Sequence, residues 1–154
     1  MDEQPAPAGS VGSVAFDGTD RLAIINLFGA YAYTYDENQL DEFRALFTES
    51  PELVLLHEGR VLSAPVDVVM KALAARKVEF KVENNQRRHA LNSFWFDSQS
   101  ADEATGHCYV QVFAILDGGP PRPELTGRYE FIAVKQDGVW RFRRWVLTLD
   151  QTIA

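Results

Sequence analysis

The hydrophobic period of the chain switches once, after Gln86, and that switch constrains the fold more than any other feature. Downstream of it, apolar and polar residues alternate with period two over four long stretches, Arg88–Phe96, Gly106–Leu116, Leu125–Lys135 and Val139–Leu149. Each is rich in the Val, Ile, Phe, Tyr and Trp that suit a pleated, half-buried surface. Gln136-Asp137-Gly138 supplies the chemistry of a tight hairpin, and Asp117-Gly118-Gly119-Pro120-Pro121 that of a wider loop. Upstream the period is helical. Asp20 is placed to cap a helix whose apolar positions Ile24, Leu27, Phe28, Tyr31 and Tyr35 recur at spacings of three and four. A short second helix is expected over Gln39–Phe47 and a short strand over Glu52–His57. Pro65 then opens a third helix, Val66–Lys77. Helices first and strands after is an α+β order, with helices packed on one face of an antiparallel sheet.

The length, 154 residues, suits one domain. The Pro-, Gly-, Ala- and Ser-rich stretch from Met1 to about Gly18 reads as a disordered leader before a single domain over 19–154. No apolar run reaches the roughly 18 residues of a membrane span, and no basic segment precedes an apolar one as in a signal peptide. A net charge of −7 opposes binding to a polyanion, so no nucleic-acid partner is expected. Arg141, Arg143 and Arg144 do not reverse this, because alternation divides them between two faces of a strand. The single cysteine, Cys108, excludes an internal disulfide and fits a reducing cytoplasm. It lies in an apolar run and reads as a small buried hydrophobe.

Three places carry polar groups with chemical potential. Tyr31 and Tyr35, four apart, project from one helical face, and Asp36 ends that helix. A carboxylate there meets the unfavourable end of the helix dipole, so it either sits in solvent or has a specific partner. His89 shares a strand face with Leu91, Ser93 and Trp95 by alternation. It is either a satisfied core histidine or, paired with a carboxylate, a general base near neutral pH. His107 and Tyr109 share a face of the next strand with Gln111 and Phe113, where they either line a pocket or face water. His57, His89 and His107 follow no metal-ligand spacing, so no metal is expected. No phosphate-binding glycine loop or nucleophile elbow occurs.

The order of these landmarks resembles a known family. Asp20-Arg21-Leu22-Ala23-Ile24-Ile25-Asn26-Leu27, then Tyr31, Asp36, Asp41 and Leu46-Phe47, resembles the opening of the SnoaL-like branch of the nuclear transport factor 2-like superfamily. Arg88-His89, Gly127-Arg128-Tyr129 and Asp137-Gly138-Val139-Trp140-Arg141-Phe142 continue it in order, from about Asp20 to Leu149. The resemblance implies a cone: a curved antiparallel sheet around three N-terminal helices, enclosing a pocket, in a homodimer or higher homo-oligomer.

Within that superfamily, Tyr35-Asp36 with His89 resembles scytalone dehydratase and the Asp–His dyad of hexachlorocyclohexane dehydrochlorinase. The resemblance implies a cofactor-independent dehydratase-like lyase or isomerase acting on a hydrophobic cyclic small molecule. Asp36 would orient His89, His89 would remove a proton, and Tyr31 or Tyr35, with Asn92, would hydrogen-bond the developing oxyanion. Trp95, His107, Tyr109, Tyr129 and Trp145 are the further expected substrate-binding residues. Trp140 and Trp145, five apart, are expected on opposite faces of one strand. Scytalone dehydratase's second histidine falls here at Ala114 and its pocket asparagine near Tyr129, which implies a substrate other than scytalone. The superfamily also implies two alternatives: a polyketide cyclase, and a non-catalytic binding or assembly subunit that keeps Asp36 and His89 as a structural pair.

Overall fold

A computed structural model describes residues 17–151, so most of the expected leader lies outside the described residues. Three helices, α1 (Gly18–Asp36), α2 (Leu40–Ala45) and α3 (Val66–Val82), accompany six strands. The strands are β1 (Phe47–His57), β2 (Arg60–Ser63), β3 (Asn85–Gln99), β4 (Glu103–Leu116), β5 (Arg122–Gln136) and β6 (Val139–Leu149). They form one curved, unclosed sheet in the order β2-β1-β6-β5-β4-β3. All neighbours are antiparallel except β1 and β6, which run parallel. The α+β architecture expected from the period switch is therefore present, with β2 and the parallel pair added.

Helix α1 starts earlier than its apolar pattern does. The Asp17 side chain accepts hydrogen bonds from the Thr19 and Asp20 amides at 2.8 and 3.1 Å, making Asp17 the cap. Asp20, the expected cap, instead accepts from Trp140 Nε1 at 2.8 Å and from Lys135 Nζ at 3.1 Å. It pins the first turn of α1 to the β5–β6 hairpin. Helix α2 is shorter than expected, because Phe47 already belongs to β1.

The inner face of the sheet and the apolar face of α1 share one aromatic core. Phe28 touches Phe94, Phe131, Phe142 and Trp145 at ring-centroid distances of 4.9–5.4 Å. Such contacts between tilted and edge-on rings add to the free energy of burying their area.

Two bulges decide which residues reach that core. In β3 the pairing passes from Asn92↔Tyr109 to Trp95↔His107, so Ser93 and Phe94 together face Cys108 alone. Ser93 takes the left-handed conformation, φ 56°. The extra residue reverses the alternation: Leu91 packs inward before the bulge, Phe94 and Phe96 pack inward after it, and Trp95 is turned outward. A second bulge shifts the β5–β6 register between Phe142 and Arg144. It returns Trp145 to the face that carries Trp140 and Phe142, so the two tryptophans share the core instead of opposing one another. Arg143 and Arg144, beside this bulge, pair with Glu103 and Glu52 at 2.9 and 3.0 Å.

Candidate functional site

Asp36 and His89 form a doubly bonded pair. One carboxylate oxygen lies 2.7 Å from His89 Nδ1, and the other accepts the His89 backbone N–H at 2.8 Å. The side chains are 6% and 8% exposed. Opposite a carboxylate, which only accepts, Nδ1 is the donor, and the neutral ring then carries its lone pair on Nε2. Neighbouring bonds hold the end of α1 against β3: Gln86 Nε2 donates to the Asp36 carbonyl at 3.1 Å, and Arg88 meets Glu37 at 2.7 Å. The position that the helix dipole disfavours thus has a specific partner.

The imidazole lies against two tyrosines, edge-on to Tyr35 at 4.6 Å and to Tyr31 at 6.3 Å between ring centroids. Both tyrosines belong to the wall of a cavity of about 630 Å³, bounded by α1, α3, β1, β2 and the inner ends of β5 and β6. Its lining is aromatic and aliphatic: Tyr31, Tyr35, Phe43, Phe47, Leu53, Val69, Leu73, Tyr129, Trp145 and Leu147 among others. One polar patch interrupts it. The Tyr31 and Tyr129 hydroxyls are hydrogen-bonded at 3.1 Å, and Trp145 stacks on both rings with its Nε1 buried and without an acceptor among the described residues. Burial raises the pKa of Tyr31, Tyr35 and Tyr129, so all three phenols stay protonated donors over the neutral range. Neither Asp36 nor His89 is on the cavity wall; both border a smaller cleft of about 240 Å³ with Ala32, Tyr33, Glu37 and Arg88. The pair sits one ring behind the large cavity.

Of the expected site residues, Asp36, His89, Tyr31, Tyr35, Tyr129 and Trp145 converge. Asn92, Trp95, His107 and Tyr109 do not. Alternation turns Asn92 outward, the β3 bulge turns Trp95 outward, and the phase of β4 puts His107 and Tyr109 on that outer face, where Trp95 is 50% and Tyr109 56% exposed. There His107 Nδ1 meets Asp97 at 3.3 Å, and Asn92 donates to Gln111 at 3.4 Å. None of the four lies on the wall of the large cavity, where they were expected. Cys108, one residue on, is fully buried on the inner side, and burial pushes its thiol up to about 12.

One residue of the site was not foreseen. Lys77 is buried at 8% exposure, with its ammonium over the Tyr35 ring at 3.7 Å from the centroid and donating to the Tyr35 carbonyl. Its signal lay in α3, whose inward stripe runs Val66, Met70, Leu73, Lys77, Phe80 at spacings of four and three. A lone lysine in an apolar stripe is the anomaly. Among the described residues no three His, Cys, Asp or Glu side chains gather as a cation site, and no helix is long and apolar enough to cross a membrane.

A family model described as a SnoaL-like domain matches residues 18–146. Among solved structures, a candidate scytalone dehydratase from Novosphingobium aromaticivorans is 25% identical with a TM-score of 0.72, over 88% of this chain and 90% of that one. The beta subunit of a candidate aromatic-ring-hydroxylating dioxygenase from the same organism is 19% identical with a TM-score of 0.70, over 88% and 92%. An NTF2-like protein with a cystatin-like fold, also from that organism, is 17% identical with a TM-score of 0.72, over 88% and 85%. The two lower identities show the shared fold. A comparison with curated proteins finds no match.

Proposed function

The chain belongs to the SnoaL-like domain family, and from that premise we propose that it is a cofactor-independent lyase or isomerase acting on a neutral, hydrophobic cyclic molecule. The observation that carries the reading is the doubly bonded Asp36–His89 pair behind the wall of a large apolar cavity. Asp36 fixes the tautomer that leaves Nε2 as base and stabilises the imidazolium formed when a proton is taken from carbon. The Tyr31–Tyr129 hydroxyl pair and Trp145 Nε1 are the donors for a substrate oxygen, because they are the buried polar groups clustered on a wall that is mostly rings and methyls, with Ser63 and the Tyr35 phenol elsewhere on it. Such a cavity selects by shape and apolar area, and it offers no counter-charge for an ionic substrate.

Tyr31 and Tyr35 both line the cavity and both lie against the His89 ring, so a ligand on that wall sits beside the base's own neighbours. A base needs its proton within hydrogen-bond reach, and such contacts tighten when ligand binds. Cyclisation of a polyketide chain would use the same base and donors. The outer face, with exposed Trp95 and Tyr109, is where the proposal places a second copy of the chain.

The test is proton exchange, which needs no knowledge of the natural leaving group. With 2-tetralone as probe in D2O, the protein should accelerate deuterium uptake beside the carbonyl. His89→Ala should lose on the order of 10²–10⁴-fold of that rate, and Asp36→Asn should lose most of it, with folding retained by circular dichroism. Tight binding of the ketone with no exchange above buffer would reject the enzyme reading. It would favour a binding or assembly subunit, the reading supported by a dyad off the cavity wall and by the fold shared with a dioxygenase beta subunit.

A further inference from the structure

Lys77 occupies a position where a hydrophobe would cost less. The α3 stripe faces α1 and the sheet, and a buried ammonium there is tolerated only if it is held by specific partners. Apart from the Phe80 ring of its own helix, 5.8 Å away, those partners are at one place. Its Nζ donates to the carbonyl of Tyr35, which also accepts the Asn38 N–H at 3.2 Å in the closing turn of α1, and it lies on the face of the Tyr35 ring. That ring also meets the His89 imidazole at 4.6 Å and the Phe43 ring at 5.8 Å between centroids, and the next residue along the chain is Asp36. A positive charge at a helix C-terminus is also favoured by the dipole.

We propose that Lys77 is a positioning residue for the Asp36–His89 pair, fixing the last turn of α1 so that the Tyr35 ring and the Asp36 carboxylate are both held against the imidazole. This rests on the dyad reading above. The charged groups around the amine are few. Asp36 and Glu37 attract it from the end of α1, and Arg87 repels it from β3. Lys81 lies one turn along its own helix and Arg76 beside it. Burial is the largest influence and brings the amine down to about 8, with the two carboxylates opposing that fall. The amine therefore changes charge within the range where the protein can be handled, and it should report its surroundings.

The experiment is NMR on the full-length chain, with nitrogen-15 observation of the His89 ring, assigned through His89→Ala, and carbon-13 observation of the lysine Cε positions. In the wild type, the His89 Nδ1 proton should give a resolved, exchange-protected resonance whose position moves as Lys77 titrates near pH 8. Lys77→Met should broaden or abolish that resonance with the fold intact, and Lys77→Arg, which restores a cation, should recover it. Should Lys77→Met fail to fold, Asp36→Asn decides the matter, since loss of the carboxylate should move the Lys77 titration lower. A protected His89 resonance that Lys77→Met leaves unchanged would overturn the positioning role while sparing the dyad. So would a lysine titrating in the ordinary range and unmoved in Asp36→Asn. Absence of the resonance from the wild type would overturn the dyad and this role together.

Discussion

At the residue scale, the groups that were legible in the sequence are those whose placement violated a local rule. Asp36, an acid at a helix C-terminus, was open to either solvent or a specific partner, and it has a partner in His89. Lys77 broke the apolar stripe of α3 and was equally visible, but its meaning depends on Tyr35, 42 positions away, and no local pattern carries that. Asp20 shows the reverse error. Its place before an apolar run suited a cap, and three-dimensional packing assigned it to Trp140 and Lys135 instead. The Trp140 hydrogen bond, with the Lys135 charge beside it, holds the Asp20 carboxyl below its usual value. A group with a depressed folded-state pKa stabilises fully above its unfolded value, and that contribution disappears as pH falls through the folded one. Urea midpoints of the wild type and Asp20→Ala should therefore differ most at neutral pH, and the gap should narrow as the pH falls from the ordinary carboxylate value through the lowered folded-state one.

At the element scale, the existence and order of the helices and the four long strands followed from hydrophobic period and turn chemistry. The faces did not. A bulge adds one residue with no compositional mark, and every side chain beyond it changes sides. The Ser93 bulge alone misplaced Trp95, and the bulge after Phe142 misplaced Trp140 relative to Trp145. Strand β2 escaped because its four side chains are all exposed, which leaves no alternation to read. The bulge has its own energetic signature. Ser93 sits in a region that non-glycine residues occupy at a cost of roughly 1–2 kcal/mol. Ser93→Gly should leave the thermal midpoint unchanged or raised, and Ser93→Val should lower it by several degrees. Gly106, opposite Phe96, has no room to spare: a Cβ there would strike the Trp95 backbone carbonyl. Gly106→Ala should cost about 1–3 kcal/mol in urea unfolding.

At the scale of the whole molecule, inner and outer faces of the sheet divide the labour. The inner face holds the core, the cavity and the dyad, while the outer face presents Trp95 and Tyr109 with their polar neighbours. If a second copy docks there, sedimentation velocity should show a dimer that Trp95→Glu with Tyr109→Glu converts to monomer, leaving the inner cavity's ketone binding unchanged. A wild-type monomer at high micromolar concentration would end that proposal. The parallel pairing of β1 with β6 joins residues 47–56 to residues 142–148, the longest reach along the chain in the sheet. Contacts of high sequence separation must overcome loop-closure entropy before they repay it, and they form late. Leu53 and Leu55 meet Trp145 and Leu147 through that pairing, and all four line the cavity. β6 is the last strand in chain order, and until it is in place β1 and β5 each lack a neighbour and the aromatic core lacks Phe142 and Trp145. The cavity wall is complete only when β1 and β6 have met, and a chain cut before β6 would leave its apolar side open.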